Sequence, residues 1–228
     1  MLVPKPSRLN NGSRSPGNGM PDDAAFSAFH FHLLSIAFFP VKILFFSDAH
    51  GSALALQDLK KRIEDEKPDL ICFLGDAIYH GPRNAIQSDY APKAAIELFN
   101  SIAEKLIAVR GNCDTEVDQM VLKFPCLESY TTVWADRRRF FLTHGHLFDA
   151  GNLPPLPPGT VIATGHTHIP RLEQAANGRI LLNPGSISIP KNGSVPSYAT
   201  YADGRFSLRA LMTGSAYAEL DAPPVSVS

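Results

Sequence analysis

Apolar positions in this chain come as short runs, each cut off by a cluster of polar residues. The first clear run holds Val41, Ile43, Leu44, Phe45 and Phe46, and it stops at Asp48, Ala49 and His50. A near-continuous β-rich stretch of this length predicts a strand buried on both faces, as central parallel strands are. Leu54, Leu56, Leu59 and Ile63 follow with polar residues between them, which predicts an amphipathic helix over 52–66 that ends before Pro68. Residues 69–74 predict a second buried strand closing on Gly75 and Asp76, and 77–90, with the stretch HGPRN at His80, read as a loop. Ala95, Ile96, Phe99 and Ile102 predict a helix over 92–105. A third strand over 106–109 then runs into Arg110, Gly111, Asn112, Cys113 and Asp114. Strand, helix, strand, helix, strand predicts parallel strands whose carboxyl ends share one edge. In open α/β sheets that edge binds ligands.

The rhythm changes in the second half. After a short helical piece over 115–123, residues 131–134 and 139–143 predict a hairpin around Asp136 and Arg137, ending in His144, Gly145 and His146. A Pro-rich loop covers 151–159, and a short strand over 161–164 ends in Gly165, His166, Thr167 and His168. The segments 169–173, 179–182, 198–201 and 206–211 alternate with turn residues, as antiparallel strands do. One domain is therefore expected over 41–213, with 214–228 as a C-terminal tail. Residues 1–40 stand apart. Their first part is rich in Pro, Gly, Ser and Asn, which is the composition of disorder, and the apolar stretch that follows has no clear cleavage site for a secretory signal. A disordered tail or a misassigned start is the expectation, with His30 and His32 incidental.

Composition narrows the classes. The chain has 228 residues, enough for one domain with a substantial core. Charged residues are 19% and the formal net charge is −1, so there is no basic field of the kind that long nucleic acid or an anionic membrane requires. No stretch reaches the roughly 18 apolar residues of a membrane span. Three cysteines, an odd number in a chain too large to need stapling, point to a reducing compartment and hence the cytoplasm.

The polar clusters carry the chemistry. They read DAH, GD, GNCD, HGH and GHTH, each after a strand, and they hold His50, His144, His146, His166 and His168. Beyond residue 40 only His80 lies outside them. In an extended chain, residues two apart project to the same side, so Asp48 and His50 are expected to converge as half of a metal site. The alternative is that Asp48 caps the following helix and His50 is a polar loop residue. Two divalent metals about 3.5 to 4 Å apart can clamp the attacking and leaving oxygens of a phosphoryl displacement, and like-charged ions that close need a bridging anion. Asp76, alone in its cluster, is the candidate. Imidazole, carboxylate and amide donors favour manganese, iron, cobalt, nickel or zinc over calcium.

In order and spacing these clusters resemble the signature of the calcineurin-like metallophosphoesterases, DxH, GD, GN followed by His or Asp, H, and GHxH. HGPRN at His80, GNCDTEVDQM at Gly111, THGHLF at Thr143, GHTH at Gly165 and NPGSISIPK at Asn183 resemble in particular the YfcE-type bacterial phosphodiesterases. The resemblance spans Val41 to about Leu211. It implies an α/β fold, a four-layer αββα sandwich of two mixed sheets flanked by helices. It puts Asp48, His50 and His168 on one divalent metal and Asn112, His144 and His166 on a second, with Asp76 between them and manganese as the expected ion. The activity implied is hydrolysis of small phosphate diesters by a metal-bound hydroxide, in a protein that self-associates.

Two other readings use the same residues: a phosphomonoesterase, and an interaction scaffold of the Vps29 type. Where many members of the family carry a His that protonates the leaving oxygen, this chain has Cys113, so His80 and His146 stand beside Cys113 as candidate acids. His146 reads equally as a support for a metal ligand or as a turn residue. Arg83 and Asn84 are the candidate substrate contacts, against the alternative of a solvated loop. Residues 183–191 read as a structural return loop.

Overall fold

The computed structural model describes residues 41–223. The readings made on 1–40, His30 and His32 included, and on 224–228 lie outside them. In chain order the elements are β1 (Ile43–Phe46), α1 (Ala53–Glu66), β2 (Leu70–Phe73), α2 (Pro92–Ser101), β3 (Leu106–Ala108), α3 (Glu116–Val121), β4 (Tyr130–Ala135), β5 (Arg138–Thr143), β6 (Val161–Ala163), β7 (Arg171–Gln174), β8 (Ile180–Asn183), β9 (Ser197–Ala202), β10 (Arg205–Ala210) and β11 (Ala216–Asp221). They form two mixed sheets, ordered β11-β10-β9-β1-β2-β3 and β4-β5-β6-β8-β7. The first three strands are parallel, as their helical crossovers require.

Successive side chains of a strand point to opposite faces, and β1 shows what this does. Leu44 and Phe46 pack with Leu56, Leu59, Phe73 and Phe99 in the core that takes in α1 and α2. Ile43 and Phe45 pack with Phe140, Leu142, Val161 and Tyr201 in the core between the sheets. All four β1 residues are fully buried, which is why the strand reads as a continuous apolar run. Against β5 and β6, Phe141, Leu156 and Ile162 make a smaller cluster with Phe148 and Leu153 from the Pro-rich loop. The sandwich is thus flanked by few helices, and part of its outer cover is loop.

Three expectations change. β9 and β10, grouped by rhythm with the late antiparallel strands, join the first sheet, where β9 pairs antiparallel with β1. Residues 197–201 of β9 are buried throughout, and the place beside β1 supplies that cover. β8 runs parallel to β6 and only its other neighbour, β7, is antiparallel. The tail assigned to 214–228 is the third correction, because Ala216–Asp221 pairs with β10 as an edge strand. Its alternation is real but weak: Ala218 and Leu220 pack on the inter-sheet core, while Glu219 and Asp221 meet Ser207 and Arg205 across the strand pair. Arg138 then braces the segment after β11, donating to the carbonyls of Gly159 and Pro223.

Candidate metal centre

The polar clusters that end β1, β2, β3, β5 and β6 meet at one place. Asp48 and His50 come from the end of β1, Asp76 from β2, Asn112 from β3, His144 from β5, and His166 and His168 from β6. Asp48, Asp76, His50, His144 and His168 are buried. The way they converge differs from the extended-chain expectation. Asp48, His50, Asp76, His166 and His168 all adopt left-handed backbone, with φ of 56°, 45°, 62°, 67° and 60°. Asp, Asn and His tolerate this region better than most residues, yet each instance still costs about 1 kcal/mol or more. The surroundings hold the turns in place. Asp48 N–H donates to Gly75 and His50 N–H to Asp76, both at 3.0 Å, and the Asp48 carbonyl accepts from Ser186 and Ser188 hydroxyls at 2.7 and 2.8 Å. A side chain at Gly111 would collide with the Asp76 carboxylate, so only glycine allows that approach. The helix-cap reading of Asp48 fails, because Ser52 caps α1 through Ala55.

Hydrogen bonds on the far side of each ring orient three imidazoles inward. His50 Nδ1 donates to the Tyr79 carbonyl at 2.8 Å, His144 Nδ1 to Leu74 at 2.6 Å, and His168 Nδ1 to Ile189 at 2.6 Å. Each Nε2 is thereby turned to the centre, the arrangement that metal-binding histidines adopt. His50 Nε2 and His168 Nε2 lie 3.2 Å apart. With both Nδ1 atoms donating, two neutral rings would place bare lone pairs against each other, so a cation between them relieves the contact. Asp48 Oδ1 lies 3.2 Å from His168 Nε2, yet it is buried and accepts no hydrogen bond. Unpartnered buried carboxylate oxygens are costly unless an ion takes them. Both features fit divalent metal.

Asp76 is placed between the two halves. Its Oδ1 accepts from Cys113 N–H at 2.8 Å, while Oδ2 lies 3.7 Å from His50 Nε2 and 3.5 Å from His144 Nε2. Asn112 Oδ1 lies 2.7 Å from His166 Nδ1 and 3.1 Å from His144 Nε2. Three groupings of donor atoms are tight enough for an ion: Asp48, His50 and His168; Asp48, Asp76 and His144; His50, Asp76 and Cys113. Charges track this arrangement. Burial alone would lower the His144 pKa, but the Asp76 and Asp48 carboxylates outweigh it and hold the ring near 9, so that in the absence of metal a proton fills the place of a cation. Burial lowers His50 and keeps its Nε2 bare.

A cavity of about 360 Å³ opens over this centre, lined by His50, Asp76, Asn112, His166 and His168 and by Arg83, Asn84 and Cys113. The Asn84 amide donates to the His80 carbonyl at 2.8 Å and so braces the loop that presents Arg83. Burial first, and the Asp76 carboxylate second, push the Cys113 thiol up to about 12. That thiol keeps its proton, which removes it as a thiolate nucleophile. His80 packs edge-on to Tyr79 and Tyr90 and is not among the lining residues. Nor is His146, whose ring lies 5.4 Å from that of His144, and burial followed by repulsion from His144 lowers its pKa.

Two residues escaped the sequence reading. Asp114 is buried, and its carboxylate accepts the N–H groups of Asp76, Ala77 and Gly111 at 2.8, 2.8 and 2.7 Å, tying the loops after β2 and β3 together. An acid directly after GNC was the available signal. Lys191, assigned to a structural return loop, lines the cavity.

Comparison with known proteins agrees with this geometry. Residues 41–202 match the family model of the calcineurin-like phosphoesterase superfamily domain. Phosphodiesterase YfcE of Escherichia coli strain K12 is 44% identical over 185 residues, covering 81% of this chain and all of that protein. The solved structure of YfcE, a phosphoesterase from E. coli, superposes with a TM-score of 0.77 at 43% identity, covering 80% of this chain and all of the other. Vps29 from Entamoeba histolytica, solved with zinc, shares the fold at a TM-score of 0.51 and 16% identity, covering 80% of this chain and 99% of its own.

Proposed function

Since the chain belongs to the calcineurin-like phosphoesterase superfamily, we propose that it is a dinuclear metal-dependent phosphodiesterase acting on small phosphate diesters. The observation that carries this is the pair of inward-turned Nε2 atoms of His50 and His168 beside the unpartnered Asp48 Oδ1. In this reading Asp48, His50 and His168 would hold one ion and Asn112, His144 and His166 the second, with Asp76 as the carboxylate that would serve both. Bound there, two divalent ions would supply Lewis acidity toward the phosphoryl oxygens and a water acidic enough to ionise near neutral pH.

The chain's own residues do the rest. Asn112 joins the half-site of β3 to that of β6 through His166, so the second ion site is assembled only when both sheets are in register. Arg83 faces the cavity as a charged contact for the substrate. The proton for the leaving oxygen is held at Cys113 Sγ in the cavity wall. Of the three candidate acids Cys113 is the one that lines the cavity, and substrates with good leaving groups need no acid. Manganese is the proposed ion, supported by the mixed donor set. A cytoplasmic location is supported by the three free cysteines, and self-association is proposed from the likeness to the family.

The test is hydrolysis of bis(p-nitrophenyl) phosphate and of p-nitrophenyl phosphate by metal-stripped protein, with Mn, Ni, Co, Zn or Mg restored singly. Metal-dependent turnover that strongly prefers the diester supports the assignment. Preference for the monoester moves it to a phosphomonoesterase. No turnover with any metal, despite two bound ions, overturns it in favour of a Vps29-type scaffold.

A further inference from the structure

Arg83 and Lys191 reach the same cavity from different sheets, Arg83 on the loop after β2 and Lys191 on the loop after β8. Among the described residues neither side chain makes an ion pair or a side-chain hydrogen bond, although the chain has nearly equal numbers of acidic and basic residues with which to pair them. Neither sits on a free-swinging segment. Lys191 N–H donates to the His168 carbonyl at 3.2 Å, and two residues earlier the Ile189 carbonyl accepts from the His168 ring. The loop carrying Lys191 is thus hooked at both ends of one metal-ligand residue. Arg83 sits in the turn closed by Asn84 N–H to Gly81 and by the Asn84 amide to His80.

A charge count gives these two cations a purpose. Two divalent ions set against the Asp48 and Asp76 carboxylates leave a positive charge that one diester and one hydroxide cancel between them. The Arg83 and Lys191 charges are then surplus to a plain diester. A second phosphate on the ester arm carries about −1.5 to −2 near neutral pH, which matches that surplus. The planar guanidinium can bind such a group bidentately and the ammonium can add a point charge.

We propose that Arg83 and Lys191 form a clamp for a second phosphate group, so that the preferred substrates are phosphodiesters bearing a further phosphate monoester on the arm that is retained. The proposal rests on the phosphodiesterase reading and narrows its substrate class. Thr167, exposed and lining the same cavity, supplies a neutral hydrogen-bonding group beside the two cations.

The experiment compares p-nitrophenyl thymidine 5′-phosphate with the same ester phosphorylated at the 3′ hydroxyl, since the leaving group is identical and only the arm differs. The native protein, loaded with its best metal, is expected to favour the 3′-phosphorylated ester about tenfold in kcat/KM, mainly through KM, and to lose that preference as salt rises. The ratio falls toward one in Lys191→Met and in Arg83→Gln, and Lys191→Arg restores it. A 3′-O-carboxymethyl ester, bearing a single charge, is expected to fall between. Equal treatment of the esters by the native protein overturns the clamp, as does an unchanged ratio in both variants. If neither ester is hydrolysed, the phosphodiesterase reading fails separately, and the clamp is read from equilibrium binding of thymidine 3′,5′-bisphosphate against thymidine 5′-phosphate to the metal-stripped protein. A bisphosphate preference that both variants abolish sustains it, and no preference refutes it.

Discussion

β1 and the residues that follow it are equally buried and built to opposite rules. Ile43, Leu44, Phe45 and Phe46 are extended, apolar and fully covered, each filling one of two cores. Two and four positions later, Asp48 and His50 are just as deep, but they are polar, left-handed in backbone, and oriented by hydrogen bonds instead of packing. Burial alone says nothing about role. The strand contributes stability through area removed from water, and that stability offsets a loop whose strain and desolvated charge would not persist alone. The same pairing recurs at β2 with Asp76 and at β6 with His168.

The comparison is broken most sharply by substituting one residue on each side. Asp76→Asn keeps size and removes the charge that serves both halves of the centre. Turnover of the diester is expected to fall by about a thousandfold under matched metal, because the ions that would neutralise the phosphoryl charge lose the carboxylate proposed to hold them together. The metal-free protein should also lose stability, because Asp76 is the carboxylate that outweighs burial to keep His144 charged, and removing one partner of a buried pair leaves the other uncompensated. Phe45→Ala should separate stability from activity. Denaturant titration is expected to show about 3 to 5 kcal/mol lost, with per-molecule activity largely kept in the folded fraction. A Phe45→Ala variant as stable as the native protein would mean that the inter-sheet core is not what carries the loop.

How much of this was legible follows the same divide. The apolar runs showed where β1, β2, β3 and the β4–β5 hairpin lie, because periodicity is a local signal, and the clusters after them named the centre through residue type and order. Pairing partners are not local. Nothing near Ser197–Ala202 says that it lies against β1, more than 150 residues earlier in the chain, and β11 was passed over because an edge strand can be half polar. The left-handed turns were also invisible, since Asp and His permit them without requiring them. Lys191 was missed because a lysine in a turn-rich loop looks solvated until the fold brings that loop to His168.

Asp114 sharpens the contrast from within the polar side. It is not among the residues lining the cavity over the centre, and it holds the backbone of two loops that do line it, through three N–H donors. Asp114→Ala leaves those donors without their acceptor, and unfolding experiments should register about 3 kcal/mol of destabilisation. Calorimetric titration of the purified variant should show both ions bound more weakly, since Asp76 loses its anchor. Weakening of one ion alone would argue that the two loops move independently.

The smallest expected effect lies far from the centre, where a charge is bound by ordinary surface rules. Glu66 at the end of α1 faces Lys42 at 2.5 Å, the Tyr198 hydroxyl at 3.0 Å and Arg209 at 3.5 Å. Partial burial alone would raise its pKa, but these partners outweigh burial and lower it. A folded-state pKa below the unfolded value contributes stability that is fully present above the unfolded pKa, near 4.3 for glutamate, and is lost as pH falls through the lower folded value. Glu66 itself is only 12% exposed, but its cationic partners Lys42 and Arg209 are 32% and 28% exposed, so solvent screening limits that contribution to about 1 kcal/mol or less. Glu66→Gln should therefore differ from the native protein by that amount at pH 7, and the two stability curves should converge in acid, below the glutamate range. A gap that persists there would assign the loss to packing against Tyr198 and not to charge, and the region would then follow the rules of β1 after all.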